Sequence, residues 1–215
     1  MYYLKKIGAI ALFGFAAVTT ANAAIITSND GDTCKLGVDG ATWEVCQAIT
    51  PHSAWQANNP LGRGAEWISI ADTGVGGVVI GNNEDEEYFW AQEVLEITEK
   101  SLLTFDVWAD DTAQVKISYN HHSADVDILT LGNFVQDGAC AAGSIGCEPG
   151  ENGHYEIMLD VGTHNLFVGA YQTGGSVTGL LYSGEYSAVP EPGSLALLGL
   201  GLAGLGFARR KTKAS

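Results

Sequence analysis

The sequence predicts an all-β protein, an antiparallel two-sheet β-sandwich or jelly roll, with an additional apolar helix on each side of it. Three observations lead to this prediction. Hydrophobic and polar residues alternate through the middle of the chain, turn-forming residues separate the alternating segments, and one apolar stretch precedes them while another follows. Alternation with period two between Gly, Asp and Asn clusters is typical of antiparallel strands. The middle of the chain has no helix-period stretch longer than a few turns.

The first segment has the three-part order of a secretory signal peptide. Two lysines precede an uncharged apolar stretch, residues 7–18, and Ala21 and Ala23 then provide an A-x-A cleavage site. A charged start, a short apolar stretch and small residues before the cut are typical of leaders removed on export. A buried helix is the alternative. We therefore predict that residues 1–23 form an N-terminal signal peptide helix that the exported protein lacks.

The central segment, residues 24–188, is predicted to form the sandwich. Residues 101–110 show the alternation most clearly, because one face of this strand would carry Leu103, Phe105, Val107 and Ala109, and the other Thr104, Asp106 and Trp108. Other segments share the pattern or are rich in β-branched and aromatic residues: 42–49, 66–70, 77–81, 88–97, 113–119, 154–161, 163–173 and 177–186. We expect about eight to ten strands, which is enough for two packed sheets.

Two connections are distinctive. Asp110-Asp111-Thr112 lies between two alternating segments and predicts a tight turn, since Asp side chains bond to neighbouring backbone groups there. Residues 136–153 are rich in Gly and contain two cysteines, which predicts a long loop closed by its own cysteine pair.

Four cysteines occur as two near pairs, Cys34 with Cys46 and Cys140 with Cys147. Export places them in an oxidising compartment, where disulfides are the default. Of the three pairings that four cysteines allow, pairing within each near pair closes the shortest loops and therefore costs the least chain entropy. A metal site is the alternative, but no C-x-x-C spacing supports it.

Charge is distributed unevenly. Residues 24–189 contain 24 Asp and Glu against only four basic residues, Lys35, Arg63, Lys100 and Lys116, which gives a formal charge of −20. Such a domain would repel phosphate, so we expect no nucleic-acid partner. We also expect that charge alone does not attach it to anionic polysaccharide, which makes a neutral glycan the favoured ligand.

Aromatic residues raise the question of carbohydrate binding, because sugar rings stack on exposed aromatic faces. Trp55 lies in the polar segment 52–60 and is the tryptophan that we expect to be exposed, while Trp108 lies opposite the predicted core face. The alternative is that these aromatic side chains fill the core of the sandwich. We take Trp55 and Trp108, with the neighbouring Asp110 and Asp111, as candidate ligand-binding residues.

Carboxylate clusters raise the question of calcium, which prefers hard oxygen ligands. Glu84, Asp85 and Glu86 lie within one predicted loop and are weak candidates for a metal site. They do not have the spacing of an EF-hand loop, and a solvated acidic surface is the alternative. We therefore expect no cofactor, with a structural calcium ion as the one exception to test.

Catalytic motifs are missing from the sequence. It contains no G-x-S-x-G, no H-E-x-x-H and no cysteine–histidine arrangement. Paired carboxylates such as Asp110 and Asp111 could serve a glycosidase only if they were about 5–10 Å apart across a cleft, and turn chemistry explains adjacent residues better. We expect a protein that is not an enzyme, and keep a polysaccharide-modifying enzyme on a β-sandwich scaffold as the alternative.

The tail, residues 189–215, combines three features. Pro190, Glu191 and Pro192 precede an uncharged apolar stretch, residues 195–208, and a basic cluster of Arg209, Arg210 and Lys211 follows. The apolar stretch is short for a membrane span of about 20 residues, but positive charge directly after it is typical of the cytoplasmic end of one. We predict a short hydrophobic transmembrane helix.

This three-part tail resembles the PEP-CTERM sorting signal of Gram-negative bacteria. The resemblance implies that an exosortase, a transpeptidase-like membrane enzyme, recognises the tail and removes it near Pro190, Glu191 and Pro192. It also implies transient anchoring in the inner membrane, transfer to the cell surface or extracellular matrix, and an association with exopolysaccharide.

The central segment has a second resemblance. The order EWIS, FWAQEVLEI, LTFDVWADDTAQVKIS and YEIMLDVGTHNLFVGAYQTGGSVTGLLYSGEY is similar to galactose-binding-like jelly rolls of exported bacterial proteins. An Asn-Gly that usually closes the second of these strands is replaced here by Ser118-Tyr119-Asn120. The resemblance implies a jelly-roll fold and a non-catalytic binding or structural component of the exopolysaccharide matrix. A purely structural matrix protein without a discrete site is a further alternative.

Overall fold

The computed structural model describes residues 23–29, 31–36, 42–77, 86–119, 126–129, 140, 145–172, 177–189 and 199–202, with backbone alone at 36, 86–88, 119 and 127. The described part contains twelve strands: β1 (Ala24–Thr27), β2 (Thr33–Leu36), β3 (Glu44–Val45), β4 (Gln47–Ala48), β5 (Ile68–Ser69), β6 (Glu86–Ile97), β7 (Ser101–Asp110), β8 (Thr112–Tyr119), β9 (Val126–Leu129), β10 (Gly153–Leu159), β11 (Gly162–Gln172) and β12 (Gly179–Ala188).

The strands form two antiparallel sheets, so the predicted β-sandwich is confirmed. Sheet A has the order β10-β7-β12-β5-β4, with β1 paired to β12, and sheet B has the order β3-β2-β6-β11-β8-β9. The longest pairings, β6 with β11 and β7 with β12, lie at the centre of each sheet.

The hydrophobic core lies between the sheets, where the alternation in the sequence placed it. Leu103, Phe105, Val107 and Ala109 of β7 are fully buried and belong to the same cluster as the inward residues of β6, β8 and β11. Fully burying a side chain of this size contributes about 1.5–3 kcal/mol. Since side chains alternate between the two faces of a strand, the outer faces of both sheets are also determined by this core.

At three short connections the chain passes from one sheet to the other instead of forming a hairpin within one sheet. Asp111 alone separates β7 of sheet A from β8 of sheet B, so the predicted turn at Asp110-Asp111-Thr112 joins the two sheets. Residues 98–100 and 160–161 make the same change between β6 and β7 and between β10 and β11. Val161, the last residue of the predicted strand 154–161, lies in one of these turns and is 61% exposed.

A second, smaller cluster covers the outer face of sheet A. It is formed by Ile49, Trp55, Ala65, Trp67, Trp108, Cys140, Cys147 and Leu181. Both predicted disulfides are confirmed: Cys34–Cys46 is buried in the main core, and Cys140–Cys147 lies in this outer cluster. The described chain has no free cysteine.

Several predictions fall outside the described residues. These are the signal peptide up to residue 22, the segment 78–85 and most of the tail. Residues 199–202 are helical. Within the part of the chain that is described, no helix has both the length and the apolar character needed to cross a membrane, so the predicted transmembrane helix is not confirmed.

Candidate functional site

The outer face of sheet B carries a group of aromatic, amide and lysine side chains, which we call the aromatic face. Strand pairing sets them in two rows. Lys35, Trp90, Gly169 and Gln114 form one row across β2, β6, β11 and β8, and Thr33, Gln92, Phe167 and Lys116 form the next. Asn165 and Tyr171 extend the face along β11, and Trp43 reaches it from the residue before β3. Side chains two residues apart on a strand share a face, so this arrangement follows from the burial of the opposite face.

Trp90 lies flat across the sheet because its neighbour on β11 has no side chain. A Cβ atom at Gly169 would approach three carbon atoms of the Trp90 ring to 2.8 Å. Tyr171 meets the ring edge-on, with centroids 6.2 Å apart, and Lys116 Nζ lies 4.7 Å from the ring centroid. The ring is therefore fixed from below, from one side and from above.

Trp43 and Phe167 form the more accessible half of the aromatic face. Their rings are stacked, with centroids 6.3 Å apart and planes inclined by 24°. Trp43 is 38% exposed and Phe167 is partly buried. Lys35 Nζ lies 5.1 Å from the centroid of the Trp43 ring. Each half thus combines an aromatic pair with one ammonium group, an arrangement typical of cation–π contacts.

Amide side chains lie beside both halves. Gln92 Nε2 donates to Asn165 Oδ1 at 2.9 Å, Asn165 Nδ2 donates to Ser118 Oγ at 3.3 Å, and the Tyr171 hydroxyl donates to Gln114 Oε1 at 2.9 Å. A primary amide has two donor hydrogens and an acceptor oxygen. The partly buried amides of Gln92 and Gln114 therefore keep groups with which to bond a ligand.

The four basic residues of the sandwich differ in their partners. Arg63 pairs with Glu185 at 2.8 Å, and Lys100 pairs with Asp160 at 3.4 Å. Neither Lys35 nor Lys116 lies within ion-pair distance of a carboxylate among the residues with described side chains. Lys35 and Lys116 thus share one face of sheet B, and the backbone register of β8 with β9 places Asp127 opposite Lys116.

Trp55 and Trp108 lie on the other side of the molecule, in the outer cluster of sheet A. The expectation that Trp55 is exposed was wrong, because it is 4% exposed, as is Trp108. Trp55 packs against Trp67 with ring centroids 4.4 Å apart, over Gly179 of β12. Their role as ligand-binding residues remains a prediction, and burial disfavours it.

Asp110 and Asp111 are also buried, each with 3% exposure, where β7 passes into β8. Burial raises the pKa of Asp110 to about 9, with a further contribution from a hydrogen bond to Asp111 and its charge. Asp110 is therefore neutral at pH 7. A ligand role for this pair stays a prediction, and in the structure neither carboxyl is offered to a ligand at the surface.

A second pair of carboxyl groups was not predicted. Asp32, just before β2, and Glu93 of β6 both lie within hydrogen-bonding distance of the Tyr182 hydroxyl. Glu93 occupies an inward position of β6 between the buried Ala91 and Leu95. The sequence signal that could have revealed this pair is Glu93 itself, a charged residue on the core-facing side of an alternating strand.

The weak metal candidates cannot be placed. Glu84 and Asp85 lie outside the described residues, and only the backbone of Glu86 is described. Among the described residues, no group of three or more His, Cys, Asp or Glu side chains is arranged to hold a metal ion. A calcium site at Glu84, Asp85 and Glu86 stays a prediction.

Residues 188–211 match the family model of the PEP-CTERM protein-sorting motif, which confirms the resemblance seen in Pro190, Glu191, Pro192 and the basic cluster. This motif implies an exported protein that is anchored through its C-terminal tail. No curated protein matches the chain. Among solved structures, the chain is similar to a family 35 carbohydrate binding module from Clostridium thermocellum, with 8% identity and a TM-score of 0.39 over 77% of this chain and 99% of that chain.

Proposed function

We propose that this exported protein is a non-catalytic polysaccharide-binding component of the cell surface or extracellular matrix, and that it binds through the aromatic face. Its polysaccharide is the exopolysaccharide of the cell that exports it. An exosortase processes the tail near Pro190, Glu191 and Pro192 after transient anchoring in the inner membrane.

The observation that carries this proposal is the Trp43–Phe167 pair. These two stacked rings remain partly accessible and lie beside the amides of Gln92 and Asn165. The apolar face of a sugar ring packs on aromatic carbon, and its hydroxyl groups bond to amide donors and acceptors. A sheet surface also suits an extended polymer better than a small ligand, which prefers a concave site.

The enzyme alternative requires a pair of accessible carboxyl groups separated by about 5–10 Å. Asp110 and Asp111 are buried, and the Tyr182 hydroxyl stands between Asp32 and Glu93. Among the described side chains, these arrangements favour a binding protein. Incubation with the host polysaccharide should therefore release no new reducing ends.

The binding proposal is tested with the full chain in detergent, by its retardation in gels that contain host exopolysaccharide. Trp43→Ala should weaken binding by about tenfold, equivalent to about 1.4 kcal/mol. Leu61→Ala is the matched control, since Leu61 is 46% exposed in the loop between β4 and β5 and lies outside the aromatic face. If the unchanged chain is not retarded, the proposal fails and a purely structural matrix protein becomes the better account.

Tail processing has its own test. Mass spectrometry of protein extracted from the cell surface should detect peptides up to β12 and none from residues 195–215. The same peptides should reappear in a host without its exosortase. An intact tail on surface protein would contradict the processing proposal and leave the binding proposal untouched.

A further inference from the structure

We infer that a proton shared by Asp32, Glu93 and Tyr182 is a latch, which holds strands β2 and β3 against β6 and opens when the proton is lost. We call β2 and β3 the edge pair, because in the described part of sheet B they form one edge and are joined to the rest through β6. The latch controls access to the buried Cys34–Cys46 disulfide. It does not depend on the binding of polysaccharide.

The first step concerns where the two carboxyl groups lie. The pairing of β2 with β6 ends at Thr33 and Gln92, and Asp32 and Glu93 are the next residues on the two chains. Their oxygens approach the same Tyr182 hydroxyl, at 3.0 Å from Asp32 and 2.8 Å from Glu93. Since Tyr182 belongs to β12 of sheet A, these three side chains join the edge pair to the opposite sheet.

The second step concerns the number of hydrogens that these contacts need. When both carboxyl groups are ionised, the Tyr182 hydroxyl can donate its one hydrogen to only one of them. The other carboxylate then lies beside an oxygen lone pair and a second negative charge. A proton on one carboxyl removes this repulsion, because the protonated group donates to the hydroxyl oxygen while the hydroxyl donates to the other carboxylate. The closed arrangement therefore binds a proton that the separated groups release.

The third step concerns compensating positive charge. The four Lys and Arg side chains of residues 24–189 make contacts elsewhere, with Glu185, with Asp160 and with two tryptophan rings on the outer face of sheet B. His164, on the inner side of β11, has its Nε2 2.8 Å from the Asp160 carbonyl oxygen. Among the described side chains, no cation lies within ion-pair distance of either carboxyl group.

The remaining ionisable groups nearby are acidic. Glu44 of β3 lies opposite Cys34 on the same side of the edge pair, and it is exposed. Asp30 and Asp39 belong to the same part of the chain but lie outside the described residues. None of these groups would relieve the repulsion between two ionised carboxylates, so a bound proton is the means that the described residues provide.

The fourth step concerns which strand gives way. Glu93 lies within β6, which pairs with β11 along its length, whereas Asp32 lies at the start of a four-residue strand at the edge of the sheet. Local opening begins where few contacts must break. The Asp32 carbonyl accepts the Cys46 N–H at 2.8 Å, so displacing Asp32 also disturbs the chain at the disulfide. Loss of the proton therefore releases the edge pair and exposes Cys34 and Cys46, which are fully buried in the closed form.

The direction of the pH dependence follows from the two states of Glu93. Burial raises the pKa of Glu93 from its ordinary value of 4.5 to about 7, and the charge of Asp32 adds to this. Between these values the closed form holds more protons than the open form, so the open fraction rises with pH, by up to about tenfold per unit. Below this window the latch stays closed, and above it the open fraction levels off.

The experiment measures how fast a phosphine reductant reaches each disulfide of the full chain in detergent. The phosphine becomes its oxide, water supplies the oxygen and two hydrogens, and the disulfide becomes two thiols. Alkylation of the new thiols and mass spectrometry give the rate for Cys34–Cys46 relative to that for Cys140–Cys147, which is equally buried but lies in the outer cluster of sheet A. This relative rate should rise by about tenfold from pH 5 to pH 7.

Three variants assign the proton. Glu93→Gln should keep the relative rate near its pH 5 value, because the amide donates to the Tyr182 hydroxyl at every pH. Asp32→Asn, which removes the other charge, should also reduce the rise. Glu44→Gln is the matched control and should leave the rise unchanged, since Glu44 is exposed on β3. A relative rate that does not change with pH, or a rise that persists in the first two variants, would overturn the latch and leave the proposed function untouched.

Discussion

Glu93 faces Tyr182 across the interior of the sandwich, and its Oε1 lies 2.8 Å from the Tyr182 hydroxyl oxygen. Asp32 Oδ2 lies 3.0 Å from the same hydroxyl and also accepts the backbone N–H of Asn29 at 2.8 Å. A tyrosine hydroxyl has one hydrogen to donate. Both contacts can therefore be hydrogen bonds only when one carboxyl group is protonated and donates to the hydroxyl oxygen. Burial raises the pKa of Glu93 to about 7, and the charge of Asp32 adds to this.

The first prediction concerns Glu93 and pH. A carboxyl whose folded-state pKa is raised binds more protons in the folded than in the unfolded protein, so its contribution to stability is lost as pH rises. Stability should fall between about pH 4.5 and about pH 7. Glu93→Gln, which keeps a neutral group beside Tyr182, should show a smaller fall in the midpoint of thermal unfolding over this window.

Glu156→Gln is the control, because Glu156 is exposed on β10. It should leave the pH dependence unchanged. An equal fall in the unchanged protein and in Glu93→Gln would contradict the assignment of the proton to this group.

The second prediction concerns Asp110, whose pKa of about 9 means that the buried carboxyl is neutral at pH 7. Asp110→Asn, which is similar in size and always neutral, should lose less stability than the unchanged protein as pH rises through about 9. The free energy of unfolding from urea titrations at pH 7 and pH 9.5 gives the comparison. Asp160→Asn, at an exposed ion pair, should behave like the unchanged protein. A parallel loss of stability in Asp110→Asn would show that Asp110 is already ionised in the folded state.

The third prediction separates the two disulfides. Cys34–Cys46 closes the segment from β2 to the end of β3, which carries Lys35 and Trp43. Cys140–Cys147 closes a loop in the outer cluster of sheet A. Replacing either pair with serine should cost about 2–4 kcal/mol of stability. The two should differ in binding, because only the first pair holds residues of the aromatic face.

Urea unfolding and gel retardation on the same two variants measure both effects. Loss of polysaccharide binding in the Cys140/Cys147 variant, with binding retained in the Cys34/Cys46 variant, would contradict the location of the site.

Much of the fold could be predicted from local pattern, because the strand period and the core face are both local properties. Leu103, Phe105 and Val107 alternate along β7 and are buried together. The disulfides followed from spacing in the same way. The sheet to which a strand belongs is not a local property, so the turn at Asp110 and Asp111 gave no sign that it joins the two sheets.

The candidate site could not be predicted from the sequence, because its residues become neighbours only through the pairing register of the strands. Lys35 and Trp43 lie in one short segment, but Phe167 is far from both along the chain, and only the pairing of β2, β6 and β11 makes them neighbours. Trp55 was mispredicted for the same reason, since its polar surroundings in sequence do not reveal the space above Gly179. The net charge of −20 likewise gave no sign that two lysines share one face.

The fourth prediction uses two glycines as a matched pair. Gly169→Ala would bring a methyl group to 2.8 Å from the Trp90 ring, and Gly179→Ala would bring one to 2.7 Å from Ile49 and 3.0 Å from Trp67. Each should destabilise the fold by about 1–3 kcal/mol through overpacking. Only Gly169→Ala should also weaken polysaccharide binding, as measured by gel retardation at a temperature where both variants are folded. Equal effects of the two changes on binding would mean that the position of Trp90 is irrelevant to the site.

The central claim is that polysaccharide binds on the outer face of sheet B. It is tested most directly by the indole N–H signals of the five tryptophans in a ¹H–¹⁵N spectrum of the full chain in detergent micelles, during titration with fragments of the host polysaccharide. Trp43 and Trp90 lie on the aromatic face, and Trp55, Trp67 and Trp108 lie in the outer cluster of sheet A. The account predicts that the Trp43 signal shifts most, that Trp90 follows, and that the other three stay in place. Shifts confined to Trp55, Trp67 and Trp108 would contradict it.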